Sequence, residues 1–181
     1  MIYFKEVLSM TIISLSSPTV VLMRGLPGSG KSTWLQNNNC AEYSISPDEF
    51  RLMLSPPVML DGKLSINQKV SHQAWEMAYT CLRSRLSFGG ATFFDATFMN
   101  ERTLKEALRV ISSSKKNVKV IVLDFTFLSI QEVKRRNNLR KGTFRYVPES
   151  VIDHLWSTGR SMDLSKFDIE VYDPRDVQIV P

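Results

Sequence analysis

Cysteine and histidine are scarce, with two of each in 181 residues. Cys40 and Cys81 form no CxxC pair, and His72 and His154 lie far from both in sequence. That spacing excludes the usual patterns of a zinc site and of a disulfide framework, and both thiols read as small apolar fillers. No apolar run approaches the roughly 20 residues of a membrane-spanning helix. There is no internal repeat, no low-complexity tract and no Pro/Gly/Ser stretch long enough to link separate domains. Acidic residues are missing from one segment, Lys134 to Arg145, where six of twelve residues are basic. Read from charge alone, that segment is a solvated helix face with a loop. The net charge of +5 is compatible with a polyanionic partner without pointing to one.

What is present is ordinary for a folded domain: 43% hydrophobic and 23% charged residues. The length suits one domain with a real core. Residues 1–18 read as an N-terminal extension, disordered or locally packed, ahead of a single domain at 19–181. Their apolar centre, Val7 to Ile13, lacks the basic start and small-residue cleavage site of a signal peptide. Initiation at Met10 is an alternative, and the expected location is the cytoplasm.

Apolar strands alternate with amphipathic helices. Thr19 to Met23, Tyr43 to Ser46, Ala91 to Phe94, Val118 to Leu123 and Ile169 to Tyr172 read as strands. Helices are expected from Lys31, over Ile66 to Ser87, Asn100 to Ile111, Ile130 to Asn138 and Pro148 to Ser157. Such alternation predicts an α/β fold in three layers, a mostly parallel central sheet flanked by helices. Ligands then bind at the carboxyl ends of the strands.

Gly25-Leu26-Pro27-Gly28-Ser29-Gly30-Lys31-Ser32 satisfies GxxxxGK[ST] in full, with Thr33 next, between an apolar strand and a helix start. The glycines let successive N–H groups turn toward phosphate oxygens, and the helix adds its positive end. Lys31 is expected at the β- and γ-phosphates and Ser32 at Mg²⁺, with ATP or a similar triphosphate as donor. The motif makes this a P-loop NTPase fold, and by itself it does not say kinase.

Two carboxylates follow strands. Ser46-Pro47-Asp48-Glu49-Phe50-Arg51 reads as a helix start, with Ser46 and Glu49 as a capping box and Pro47 at the first helical position. Asp48 there is either a dipole-stabilising acid or a general base facing the γ-phosphate. Arg51, one turn on, would hold an anionic acceptor group. Asp95 ends the strand at Phe93-Phe94 and is open to an acceptor or metal role or to simple capping. The basic segment has a second reading as a helical lid, with Arg140 at the γ-phosphate, and a third as a nucleic-acid contact.

GLPGSGKSTW, SPDEFR, DAT and RNNLR followed by VP resemble, in order and spacing, the 5′-hydroxyl polynucleotide kinases of T-even phage and of bacterial RNA repair. The likeness runs from about Thr19 to Met162. It implies that Asp48 is the general base, Arg51 the ligand of an acceptor phosphate, Asp95 an acceptor-site residue and Arg140 the lid arginine, with Arg136 near the donor base. It also implies a DNA or RNA acceptor. Thr97 stands where the family often has asparagine, and Ser55 to Lys69 is expected to cover the acceptor. No DxDGT-type sequence is present, so repair of 3′-phosphates is not expected. The alternatives are a kinase of a hydroxymethylated pyrimidine in phage DNA or of a small molecule, and a nucleic-acid-binding NTPase without transfer activity.

Overall fold

The apolar run after Pro18 forms the strand around which the other elements are arranged. The computed structural model describes residues 10–60, 62–114 and 116–181, so residues 1–9 of the expected extension lie outside it. In chain order the elements are β1 (Thr11–Ser14), β2 (Thr19–Arg24), α1 (Lys31–Asn37), α2 (Pro47–Leu54), β3 (Val58–Leu60), β4 (Lys63–Ser65) and α3 (Ser71–Phe88). There follow β5 (Thr92–Asp95), α4 (Glu101–Ser112), β6 (Lys119–Asp124), α5 (Ile130–Asn138), α6 (Glu149–Arg160), β7 (Glu170–Tyr172) and β8 (Val177–Val180).

Four strands form a wholly parallel sheet in the order β5-β2-β6-β7. Val20 to Met23 of β2 are each 1% exposed or less, because both faces of the strand are covered. Val20 and Leu22 pack with Ala78 and Leu82 of α3 and Leu104 and Ala107 of α4. Val21 and Met23 pack on the other side with Leu35 of α1, Ile13 of β1 and Val177 of β8. Full burial of each such side chain stabilises the fold by about 1.5–3 kcal/mol, so this strand anchors the loop that follows it. A third cluster, Leu26, Met99, Val133 and Ile152, seats α5 and α6 against the P-loop.

The structure departs from the sequence reading in three places. Tyr43 to Ser46 does not form a full strand. Residues 41–43 turn in a 3₁₀ helix, and only Ile45 bridges to Phe94 before Pro47 opens α2. The capping box does not close either: Ser46 caps α2 without a side-chain bond, and Glu49 instead accepts from Arg145 Nη2 at 2.8 Å. Within the expected extension, β1 pairs in parallel with β8. Leu15 then donates to Val180 O and accepts from the Ala91 N–H, both at 2.8 Å, so residues 11–15 are joined to the sheet. A hairpin, β3 with β4, occupies the segment expected to cover the acceptor.

Candidate active site

Each glycine of the P-loop has a geometric duty. Gly28 and Gly30 have φ of 87° and 103°, where a side chain strains the backbone. A Cβ on Gly28 would also lie 3.2 Å from the Val133 carbonyl of α5. The Gly25 N–H donates to Thr97 O at 2.9 Å, so Thr97 holds the loop through its backbone carbonyl. Lys31 lies inside the loop, its Nζ donating to Gly25 O at 2.8 Å and Leu26 O at 3.0 Å. Burial pushes its pKa down, and the nearby Asp95 and Asp48 carboxylates pull it back up. The Ser29 hydroxyl is buried without a partner among the described residues. A buried ammonium and an unmatched hydroxyl in a cradle of glycines fit the phosphates of a nucleoside triphosphate.

The parallel register places Asp95 opposite Met23, just below the P-loop. The Ser32 hydroxyl donates to Asp95 Oδ2 at 2.9 Å. Burial raises the Asp95 pKa, partly offset by Lys31 and by the Ser32 bond. Two oxygens this close, one anionic, fit a hard cation such as Mg²⁺ carried by a triphosphate.

α2 brings Asp48 and Arg51 to the same side. Arg51 Nη1 donates to Asp48 Oδ1 at 2.5 Å, and its Nε donates to Ser71 Oγ at 2.9 Å. Asp48 is largely exposed and Arg51 is almost enclosed. The carboxylate is therefore open to an incoming ligand, while the guanidinium is aimed by α2 and α3.

Most of the basic segment is paired to acidic residues outside it. Lys134 meets Glu149 and Asp153, Arg135 and Arg136 share Glu132, and Arg145 meets Glu49. Arg140 has no ion-pair partner among the described residues. Burial and Arg145 lower its pKa, and Asp95 raises it. The loop bearing both arginines is held by a residue the sequence reading missed. Asn137, fully buried, donates to Val147 O at 2.7 Å and accepts from Val147 N at 3.1 Å. An asparagine among arginines gave no hint that it closes a ten-residue loop.

Arg136 flanks the P-loop, with Nη1 3.7 Å from where a Gly30 Cβ would lie. Beside it a cavity of about 300 Å³ opens between Gly30, Thr33, Trp34, Phe127, Arg136 and Arg175. The Arg175 guanidinium lies 4.3 Å over the Phe127 ring. Neither Phe127 nor Arg175 carried a sequence motif.

A phosphate-binding loop at the end of a parallel strand, a carboxylate against its serine and a helical flap above define a P-loop protein of the kinase fold, built to bind a nucleotide. Residues 20–159 match the AAA domain family, and the chain belongs to that family. No curated protein matches the chain. Among solved structures it is similar to a chain of the Pnkp1/Rnl/Hen1 RNA repair complex, at TM-score 0.66 and 22% identity over 85% of this chain. This chain spans 47% of that one. It is also similar to a chain of AvrRxo1-ORF1:-ORF2 solved with ATP, at TM-score 0.59 and 16% identity, covering 80% of this chain and 48% of that one. A third likeness is to a sugar kinase from Janibacter, at TM-score 0.51 and 19% identity over 88% of this chain and 86% of that one.

Proposed function

We propose that the protein transfers the γ-phosphoryl group of ATP to a 5′-hydroxyl of DNA or RNA. The observation that carries this reading is the pairing on α2 of an exposed Asp48 with an enclosed Arg51, at 2.5 Å, beside a P-loop whose Ser32 is bonded to Asp95. An exposed carboxylate on α2 lies within electrostatic reach of the phosphate-binding lysine, where an incoming hydroxyl would meet the donor.

Mg·ATP, when bound, supplies the transferable group and a counter-charge. Ser32 and Asp95 are the residues suited to hold the metal, and Gly25, Gly28, Ser29, Gly30 and Thr33 line the loop around the phosphates. Asp48 accepts the proton of the attacking hydroxyl, while Arg51 orients an acceptor phosphate by bidentate pairing. Lys31 and Arg140 balance the charge on the transferring group. Arg136, Phe127 and Arg175 form the wall of the donor-base cavity. Thr97 flanks the acceptor side.

A second reading, a small-molecule acceptor, draws on the internal pairing of Lys134, Arg135, Arg136 and Arg145. That pairing leaves few free cations for a long phosphate backbone. Transfer of label from γ-labelled ATP separates the readings. An oligonucleotide with a 5′-hydroxyl should be labelled and its 5′-phosphorylated twin should not. Label on neither, with ATP still bound, would move the reading to a sugar-like acceptor or a hydroxymethylpyrimidine in DNA. Asp48→Asn should lower turnover by about a hundredfold or more with ATP binding retained. Unchanged turnover would remove Asp48 from the role of base.

A further inference from the structure

A second and larger cavity, of about 780 Å³, lies on the other side of Phe127. Asp48, Arg51, Asp95 and Arg140 are absent from its lining, and Phe127 is the one residue it shares with the donor-base cavity. Its walls come from the first turn of α5, the last turn of α6 and the residues just after α6, with Arg24 and Asp124 among the residues behind them.

The chemistry of those walls is specific. Arg24, 4% exposed, gives Nη1 to both oxygens of Asp124 and Nη2 to Gly159 O at 2.7 Å. Its charge is thus cancelled and its geometry fixed. At the rim, Arg160 is exposed, its guanidinium lies 5.2 Å over the Trp156 ring, and it has no ion-pair partner among the described residues. An aromatic face layered with an unmatched guanidinium is a platform for a stacked base and an attached anion. Asp163, also in the lining, has Oδ1 occupied by Ser165 N and Oγ, and Lys166 Nζ lies 4.0 Å from Oδ2. That leaves it able to accept from an exocyclic amine.

We propose that this cavity binds a nucleoside monophosphate unit, either free or as one residue of a strand, with its ring against the layered Arg160 and Trp156 and its phosphate on the edge of the Arg160 guanidinium. A pocket of this size suits a ligand of that class. The occupant touches both helices that carry the lid, at the ends away from the loop with Arg140. The site does not depend on Asp48 acting as a base.

Equilibrium dialysis of the intact chain tests this, with the P-loop filled by excess Mg·AMPPNP and labelled AMP as probe. A 5′-phosphorylated pentanucleotide serves as the second probe. Binding of about one equivalent should weaken by at least about tenfold in Arg160→Glu, through loss of the charge-assisted contact, and should persist in Arg51→Ala. Arg160 is exposed, so the variant is expected to melt as the parent does. Binding of AMP identifies a free nucleotide as ligand, and binding of the pentanucleotide alone identifies a strand. Loss in Arg51→Ala with retention in Arg160→Glu would assign the signal to the acceptor side and overturn the proposal. Absence of Arg160-dependent binding of either probe at millimolar concentration would overturn it too.

Discussion

Replacing Asn137 by alanine should open the lid while sparing the nucleotide cradle. The side chain is fully buried and exchanges two hydrogen bonds with the backbone of Val147, ten residues on. Each bond contributes about 1 kcal/mol net, and a backbone group left buried and unpaired costs about 1–3 kcal/mol. Water can rescue part of that loss, so the loop between Asn137 and Val147 should be destabilised by about 2–4 kcal/mol. Converted to an opening equilibrium, this is about 30- to 700-fold, and the Val147 amide should exchange with solvent faster by that factor. On the role proposed for Arg140 at the phosphates, turnover should fall, whereas ATP affinity, set by the P-loop, should change little. In an Arg140→Ala background the same substitution should have little further effect on turnover, since both changes act through one residue. Unchanged Val147 exchange would refute the clamp. Faster exchange with normal turnover would refute the link from clamp to chemistry.

Asp95→Asn should raise the melting temperature at pH 8 while lowering turnover. Burial holds its carboxyl above the usual range even with Lys31 beside it. Folding therefore favours the protonated acid, a stability present below the ordinary carboxylate pKa and lost as pH rises from there through the raised pKa of the folded state. The gain in melting temperature should shrink toward pH 4, and a gain independent of pH would argue against this origin. Gly28→Ala combines an L-residue at φ 87° with a 3.2 Å approach to Val133 O. It should lose about 1–3 kcal/mol and most ATP affinity in a titration, and near-normal affinity would refute the close fit of loop and α5. Arg24→Met leaves Asp124 uncompensated beside the core and should lose about 3–5 kcal/mol in chemical denaturation. Arg24→Met with Asp124→Leu should recover much of that, and failure to recover would show that Arg24 acts through Gly159 instead.

The local chemistry of this chain is legible in its sequence. The P-loop is a contiguous octapeptide whose glycines and lysine have no cheaper explanation, and its flanking strand declares itself by an unbroken apolar run. Amphipathic helices such as the one over Asn100 to Ile111 follow from the spacing of their apolar residues, because the forces that form them act over four residues. Asp48 and Asp95 were marked by their positions just after expected strands; β5 brings Asp95 to Ser32, and α2 brings Asp48 to Arg51. Pairings between distant segments left no local trace. Ser32 meets Asp95 only because β2 and β5 are neighbours in register. Glu49 abandons its capping box because the fold brings Arg145 to it. The four residues of β1 look like a tail until β8, at the other end of the chain, supplies their hydrogen bonds. Phe127, Arg175, Trp156 and Arg160 are unremarkable one by one, and they become cavity walls because β6, α6 and the C-terminal segment converge at the strand ends. Sequence determines what each segment prefers over a few residues, whereas chain topology decides which side chains meet, since those contacts join groups a hundred residues apart.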